Sequence, residues 1–192
     1  MSRTRLAAVL IPLLITGTHA AFADSPATGG TASTGNAGQL GESLSELHAV
    51  SQWSLNLSEM ADKRAKSDLV KSYARSIMSA SPTMDAKLMS VAQKQGIDVA
   101  PVNSEAEAGK SLLERMKAEK VLLGSLEGDA FDKEFMTLVT NTQQSVLNSL
   151  KASKASAKDP QAKQLLGELT TTVESRLKTA QDIMAKIYGN GI

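Results

Sequence analysis

The chain has 192 residues, of which 42% are hydrophobic and only 3% are aromatic, a composition that favours an all-α domain with small aliphatic packing over a β-sandwich. Its 21 basic and 20 acidic residues are nearly balanced, which argues against the concentrated basic surface of nucleic-acid-binding proteins. The sequence has no cysteine, which excludes disulfides, thiolate metal sites and thioether-linked haem.

The first 23 residues have the pattern of a cleaved secretory signal peptide. Arg3 and Arg5 precede the apolar run 6–15, and the small-residue triplet 21–23 follows it. The run is much shorter than the roughly 20 residues that span a bilayer. We therefore expect cleavage after Ala23 and a periplasmic protein, with 19 basic residues remaining against 20 acidic ones once Arg3 and Arg5 are removed.

Residues 24–41, "DSPATGGTASTGNAGQLG", are rich in Gly, Ser, Thr and Ala. Such a segment buries too little apolar surface to offset the entropy of ordering. The sequence predicts a flexible tether here, and a helical domain from residue 42 to residue 192.

Helix one is predicted to begin at Ser43, where Ser43 and Glu46 have the spacing of a capping box. Helix two is predicted over residues 68–95, continuing through Pro82 and ending before Gly96, because apolar residues recur at helical spacing on both sides of the proline.

A shorter helix is predicted over residues 104–123, and two long helices over 129–155 and 160–188, the last opened by Asp159 as N-cap. The long connection of about 30 residues between helices two and three allows a crossover. We therefore predict an all-α, ferritin-like antiparallel four-helix bundle with an additional short crossover helix. A five-helix up-and-down array is the alternative.

Three polar residues interrupt or border the apolar stripes close to the midpoints of the three later long helices, namely Ser81, Gln143 and Arg176. The midpoints of antiparallel neighbours lie at one level. The sequence thus predicts a single polar layer across the waist of the bundle.

Four segments, "LMSVAQKQGI", "GDAFDKEF", the "DP" turn and "RLKTAQDI", resemble a family of exported bacterial proteins of unknown function, often labelled membrane or outer-membrane proteins. The resemblance covers roughly residues 43–185. It implies a ferritin-like fold and histidines near the middles of helices two, three and four, in the pattern of a metal or redox centre. The positions implied for those histidines carry Ser81, Gln143 and Arg176 here.

A metal site of that kind is not expected in this chain. Di-iron bundles need several inward carboxylates and Glu-x-x-His pairs, and no Glu-x-x-His occurs. His48 is far in sequence from the predicted waist and is interpreted as a surface or packing residue. We hypothesise that Ser81, Gln143 and Arg176 form a hydrogen-bonded plug, with Glu59 and Asp85 as partners; the alternative is that Arg176 turns its head to solvent.

These features favour a non-catalytic envelope protein without a cofactor, acting in stress adaptation or protein interaction. The scattered methionines are interpreted as core filling. The alternative function is a metal-dependent redox or storage protein that recruits iron or manganese through Glu59 and Asp85. A third is a bundle that binds a protein partner or the membrane surface without a transmembrane helix, for which the tether provides reach. The sequence predicts no oligomeric state.

Overall fold

The computed structural model describes residues 32–189, which form five α-helices and no strand. The predicted signal peptide and the first part of the predicted tether lie outside these residues. The helices are α1 (Ala32–Arg64), α2 (Asp68–Lys94), α3 (Glu107–Gly124), α4 (Gly128–Ser156) and α5 (Pro160–Gly189). Helices α2 to α5 begin and end within a few residues of the predicted bounds.

The four long helices form a bundle in which α1 packs on α2 and α4, and α5 packs on the same two helices. At one end, the Asp132 carboxylate near the start of α4 contacts the turn between α1 and α2. At the other end, Lys94 Nζ lies 2.6 Å from Gln161 Oε1, so the end of α2 meets the start of α5. The helices therefore run up, down, down and up.

This order needs one long crossover between α2 and α4, as in ferritin-like bundles, and it confirms the predicted fold class over the five-helix array. Helix α3 lies within the crossover and packs on α1 and α4. It is attached partly by Trp53, whose Nε1 donates to the carbonyl of Met116 at 3.2 Å. A Cβ at Gly109 would overlap the backbone of Asn103, so α3 starts in close contact with the segment before it.

Three helix ends, two of α2 and one of α5, follow their sequence signals. Ser67 is the N-cap residue of α2, in an extended conformation. Gly96, just past the end of α2, has a φ of 65°, a left-handed conformation that glycine adopts without steric cost. Asp159 Oδ1 accepts from the backbone N–H of Ala162 at 2.7 Å, which is the predicted N-cap of α5.

Helix α1 departs from the prediction, because it begins at Ala32 rather than at Ser43. Residues 32–41, expected as part of the tether, are helical, and Ser43 lies inside the helix, where no capping is required. Leu40 is 4% exposed and Leu44 is fully buried, both in the apolar cluster that α2, α4 and α5 form near the end of α2. Burial of these two leucines offsets the poor helix propensity of Gly38 and Gly41.

The buried apolar side chains form two clusters. The first, near the α1–α2 turn, contains Trp53, Leu57, Phe131 and Phe135. The second, near the α4–α5 turn, contains Leu44, Leu88 and Leu166. Buried polar residues from α1, α2 and α4 lie between them, so the core is divided at mid-height; they are Ser54, Ser81 and Gln143.

No helix among residues 32–189 combines the length and the apolar character needed to cross a bilayer.

Candidate functional site

A small cavity of about 50 Å³ lies at the mid-height of the bundle, and all four long helices contribute to its wall. Each helix supplies at least one polar side chain and, seven residues from it, one leucine. We call one polar side chain from each helix, together, the polar ring: Ser54, Ser81, Gln143 and Arg176. We call the four leucines the leucine ring: Leu47, Leu88, Leu150 and Leu169.

The two rings lie at different levels because of the helix directions. Seven residues correspond to about 10 Å of helix, and the leucine follows the polar residue in α2 and α4 but precedes it in α1 and α5. Since α1 and α5 run opposite to α2 and α4, every leucine is displaced toward the same end of the bundle. The polar ring and the leucine ring therefore lie at different levels of the cavity, with Met84, Val146, Ser51 and Asp85 between them and Ile77 beyond Ser81.

The predicted residues Ser81, Gln143 and Arg176 all line this cavity, but they are not hydrogen-bonded to one another. Ser81 Oγ donates to the carbonyl of Ile77 within its own helix at 2.7 Å. The Gln143 side chain is 6% exposed and its amide makes no hydrogen bond with another described residue. The hydrogen-bonded plug expected from the sequence is therefore wrong, since the three side chains share a wall without contacting one another through hydrogen bonds.

The Arg176 guanidinium is partly buried, and its Nη2 has no hydrogen-bond partner among the described residues. Burial lowers the pKa of Arg176, and the nearby Tyr73 opposes this effect weakly. Tyr73 Oη donates to the backbone carbonyl of Arg176 at 3.3 Å. Tyr73 therefore contacts the α5 backbone and makes no hydrogen bond with the guanidinium. A guanidinium stays protonated in proteins, and a buried one without an acceptor carries an uncompensated desolvation cost.

The two expected carboxylate partners do not pair with Arg176. Glu59 is exposed and is absent from the cavity wall. Asp85 lies on the wall, but its carboxylate is engaged on the α1 side, where His48 Nδ1 lies 2.7 Å from Oδ1 and Gln52 Nε2 lies 3.4 Å from Oδ2. The side chains of His48 and Asp85 are 33% and 23% exposed, which places this pair at the rim of the cavity.

The structure adds a partner to His48, which the sequence indicates as a surface or packing residue: its partly exposed ring pairs with Asp85 at the cavity rim. His48 and Asp85 each lie roughly 18 residues from the turn between α1 and α2, and residues equidistant from the turn of a helical hairpin meet. This register also brings Ser51 and Ser54 to the level of Ser81. Applying it to α1 as well as to the three later helices would have found His48, Ser51 and Ser54 from the sequence.

The side chains at the cavity do not fit a transition-metal centre. Within residues 32–189, no three His, Cys, Asp or Glu side chains converge on a point that could hold a metal ion. The cavity wall carries one carboxylate, Asp85, and one guanidinium, Arg176, whose positive charge opposes a cation. Iron and manganese sites need several oxygen and imidazole ligands, which the polar ring does not supply.

The wall also lacks an activated nucleophile. Covalent catalysis by serine needs a base that accepts the hydroxyl proton. In the described part of the chain, His48 makes a hydrogen bond with Asp85 but none with a serine hydroxyl, and Ser81 Oγ donates to the backbone.

Comparison with known proteins gives a family and a fold. The family model described as "Domain of unknown function (DUF4142)" matches residues 25–183. The structure named "putative secreted protein DUF305 from Streptomyces coelicolor" resembles this one with a TM-score of 0.61 and 14% identity over 76% of this chain and 91% of that one, a likeness of fold alone. No curated protein matches the chain significantly.

Proposed function

The chain belongs to the DUF4142 family of domains of unknown function, and from that premise we propose that it is an exported, non-catalytic protein of the cell envelope. In this proposal the bundle carries a polar binding cavity at the level where the family resemblance implies a metal centre. In this proposal the protein binds a ligand in the periplasm, and nucleic acid is not among its partners.

The observation that carries the proposal is the Arg176 guanidinium on the cavity wall with a buried, unpartnered Nη2. A fixed cation at that point disfavours a bound metal ion. It also disfavours a purely structural role, because a leucine there would fill the core without the desolvation cost. Polar side chains that converge on a concave, largely apolar wall are the usual composition of a ligand site.

Export is supported by the signal-peptide pattern of residues 1–23, which lie outside the described residues. It is also supported by the name of the DUF305 protein, which describes that protein as secreted. We propose the periplasm as the compartment and Ala23 as the last residue removed. Mass spectrometry of the protein recovered by osmotic release would test both: a chain that begins at Asp24 supports them, and an intact amino terminus contradicts them.

Elemental analysis tests the non-metal assignment directly. Untagged protein purified from the periplasm without chelators should contain iron, manganese and copper far below one ion per chain. Added Fe²⁺ or Mn²⁺ should leave its melting temperature unchanged. A near-stoichiometric ion would contradict the proposal and favour the alternative of a metal-dependent redox or storage protein.

A matched control comes from the same three positions. The triple variant Ser81→His, Gln143→His, Arg176→His places imidazoles on the cavity wall beside Asp85, and neutral imidazoles are good ligands for divalent transition metals. We expect this variant to gain a metal-dependent rise in melting temperature that the natural sequence lacks. Equal responses of both proteins to metal would count against the role assigned to Arg176.

A further inference from the structure

We propose that the cavity binds a short aliphatic monocarboxylate, of the size of acetate or propionate, with its carboxylate at the polar ring and its alkyl chain directed toward the leucine ring. This rests on the proposed function, since it names the ligand class of the same site.

The charge of the head group follows from Arg176. Its Nη2 is buried and has no hydrogen-bond partner among residues 32–189, and no described carboxylate forms an ion pair with it. The guanidinium therefore lacks a counter-ion that a bound anion would supply. Arginine pairs with carboxylates through strong charge-assisted hydrogen bonds, and the Gln143 amide on the same wall offers a further donor.

The single carboxylate on the wall is held at the rim. Asp85 accepts from His48 at 2.7 Å and from Gln52 at 3.4 Å. Burial lowers the pKa of Arg176, Tyr73 acts in the opposite direction, and Asp85 is not among the causes. The positive charge of Arg176 is thus available to a ligand and is not neutralised by the protein.

The alkyl chain follows from the other end of the cavity. The leucine ring lies about 10 Å along the helices from the polar ring, and Met84 and Val146 lie on the wall as well. An inorganic anion such as chloride would satisfy Arg176 but leave this apolar wall in contact with water. A carboxylate with a short hydrocarbon tail places its charge at Arg176 and its alkyl group against Met84 and Val146, which lie between the two rings.

The size of the ligand follows from the volume. A water-sized group needs roughly 10–15 Å³ of such a cavity, so the volume of about 50 Å³ holds between three and five of them. Acetate and propionate have four and five non-hydrogen atoms and fit this range. Longer chains such as hexanoate would require side chains on the wall to move.

The test compares sodium acetate, propionate and hexanoate with sodium chloride at equal ionic strength, using thermal unfolding and titration calorimetry on the mature protein. We expect propionate to raise the melting temperature in a saturable way, with one site per chain and at least tenfold tighter binding than hexanoate. Chloride should give no saturable effect. If neither acetate nor propionate gives a saturable shift beyond that of chloride, the proposal is overturned.

Two variants locate the site, with a third as control. Arg176→Met should abolish the propionate effect, whereas Arg75→Met, the same change at an exposed arginine paired with Asp62, should leave it intact. Val146→Met fills the space between the rings while Arg176 stays in place, and should weaken propionate binding at least tenfold. Unchanged propionate binding by Val146→Met, or loss in Arg75→Met, would overturn the proposal.

The outcomes separate the two proposals. A protein that contains no metal and binds no monocarboxylate leaves the non-catalytic assignment standing and removes only this ligand. A protein that contains a stoichiometric metal removes the non-catalytic assignment, whatever carboxylate does.

Discussion

At the scale of single residues, Asp132 joins three helices. Its side chain is 3% exposed, and its two oxygens accept from the backbone N–H groups of Lys66 and Ser67 at 3.0 and 2.7 Å. These groups lie at the N-terminal end of α2, where the backbone lacks intrahelical acceptors and the helix dipole favours a negative charge. The neighbouring Phe131 is fully buried under the guanidinium of Arg64, 5.4 Å from the ring centroid.

Replacing this carboxylate should therefore be costly. We expect Asp132→Ala to lower the free energy of unfolding by about 2–4 kcal/mol, because two N–H groups lose a charged acceptor. The matched control is Asp129→Ala, because the Asp129 carboxylate is exposed and pairs with Lys66; this change should cost at most about 0.5 kcal/mol. Urea unfolding measures both, and equal costs would refute the role given to Asp132.

Tyr73 gives the bundle a pH dependence on the alkaline side. Burial raises the pKa of Tyr73 from 10.0 to about 12, and the charge of Arg176 opposes this rise. The folded protein thus holds the phenolic proton more tightly than the unfolded chain does. The resulting stabilisation is complete below pH 10 and is lost as the pH rises toward 12.

We expect the free energy of unfolding of the natural protein to fall between pH 10 and pH 12 by about 2 kcal/mol more than that of Tyr73→Phe. Lysines also titrate in this range, but they are the same in both proteins and cancel in the difference. Tyr188→Phe, at an exposed tyrosine, should follow the natural protein. Identical slopes for Tyr73→Phe and the natural protein would contradict the expectation.

Residue-level prediction from the sequence succeeded where helical spacing alone decides and failed where two helices must be aligned. The midpoints of three helices brought Ser81, Gln143 and Arg176 to one wall. The contact of His48 with Asp85 requires the register of α1 against α2, and the acceptor role of Asp132 requires the crossover to bring residue 132 to the turn at residues 66–67. The first alignment follows from counting residues outward from the α1–α2 turn, whereas the second is not encoded in local spacing.

At the scale of elements, α1 shows how tertiary packing overrides local signals. Its sequence offers a capping box at Ser43 and three glycines between Ala32 and Ser43, all of which indicate a later start. Leu40 and Leu44 nevertheless lie in the apolar cluster near the end of α2, and the helix extends upstream of both to Ala32. Local propensity could predict the bounds of α2, α4 and α5, whose stops are glycine or proline, but not this start.

Two substitutions distinguish the observed start from the predicted one. Leu40→Ala should lower the free energy of unfolding by about 2–3 kcal/mol, because a buried side chain is removed. Ser43→Ala should change it by less than about 0.5 kcal/mol, since a residue inside a helix caps nothing. A helix that began at Ser43 would give the reverse pattern, with a loss at Ser43 and none at Leu40. Thermal unfolding of the two variants decides.

At the scale of the whole molecule, stability is distributed unevenly between the bundle and its crossover. Within α3, only Gly109 and Leu123 are buried, whereas each of the other helices has a continuous buried stripe. Leu113, Val121 and Leu122 of α3 are exposed. Local opening of α3 therefore exposes little additional apolar surface and should require less free energy than opening of the bundle.

Hydrogen exchange should reveal this difference directly. We expect the central amides of α3 to exchange at least roughly tenfold faster than the central amides of α4, against which α3 packs. The exchange rates of α5, which borders the cavity, serve as a second reference. Equal protection in α3 and α4 would show that the crossover opens only together with the bundle.

The crossover has a further consequence for how the chain can assemble. Helices α1 and α2 form one hairpin and α4 and α5 form another, and the contacts between the hairpins, from Asp132 at one end to Gln161 at the other, do not require that both belong to the same polypeptide. Two copies that exchange hairpins would reproduce these contacts between chains. Residues 95–127, which connect α2 to α4, would then pass from one copy to the other. Chain concentration during folding would then govern whether closed monomers or interlinked dimers form.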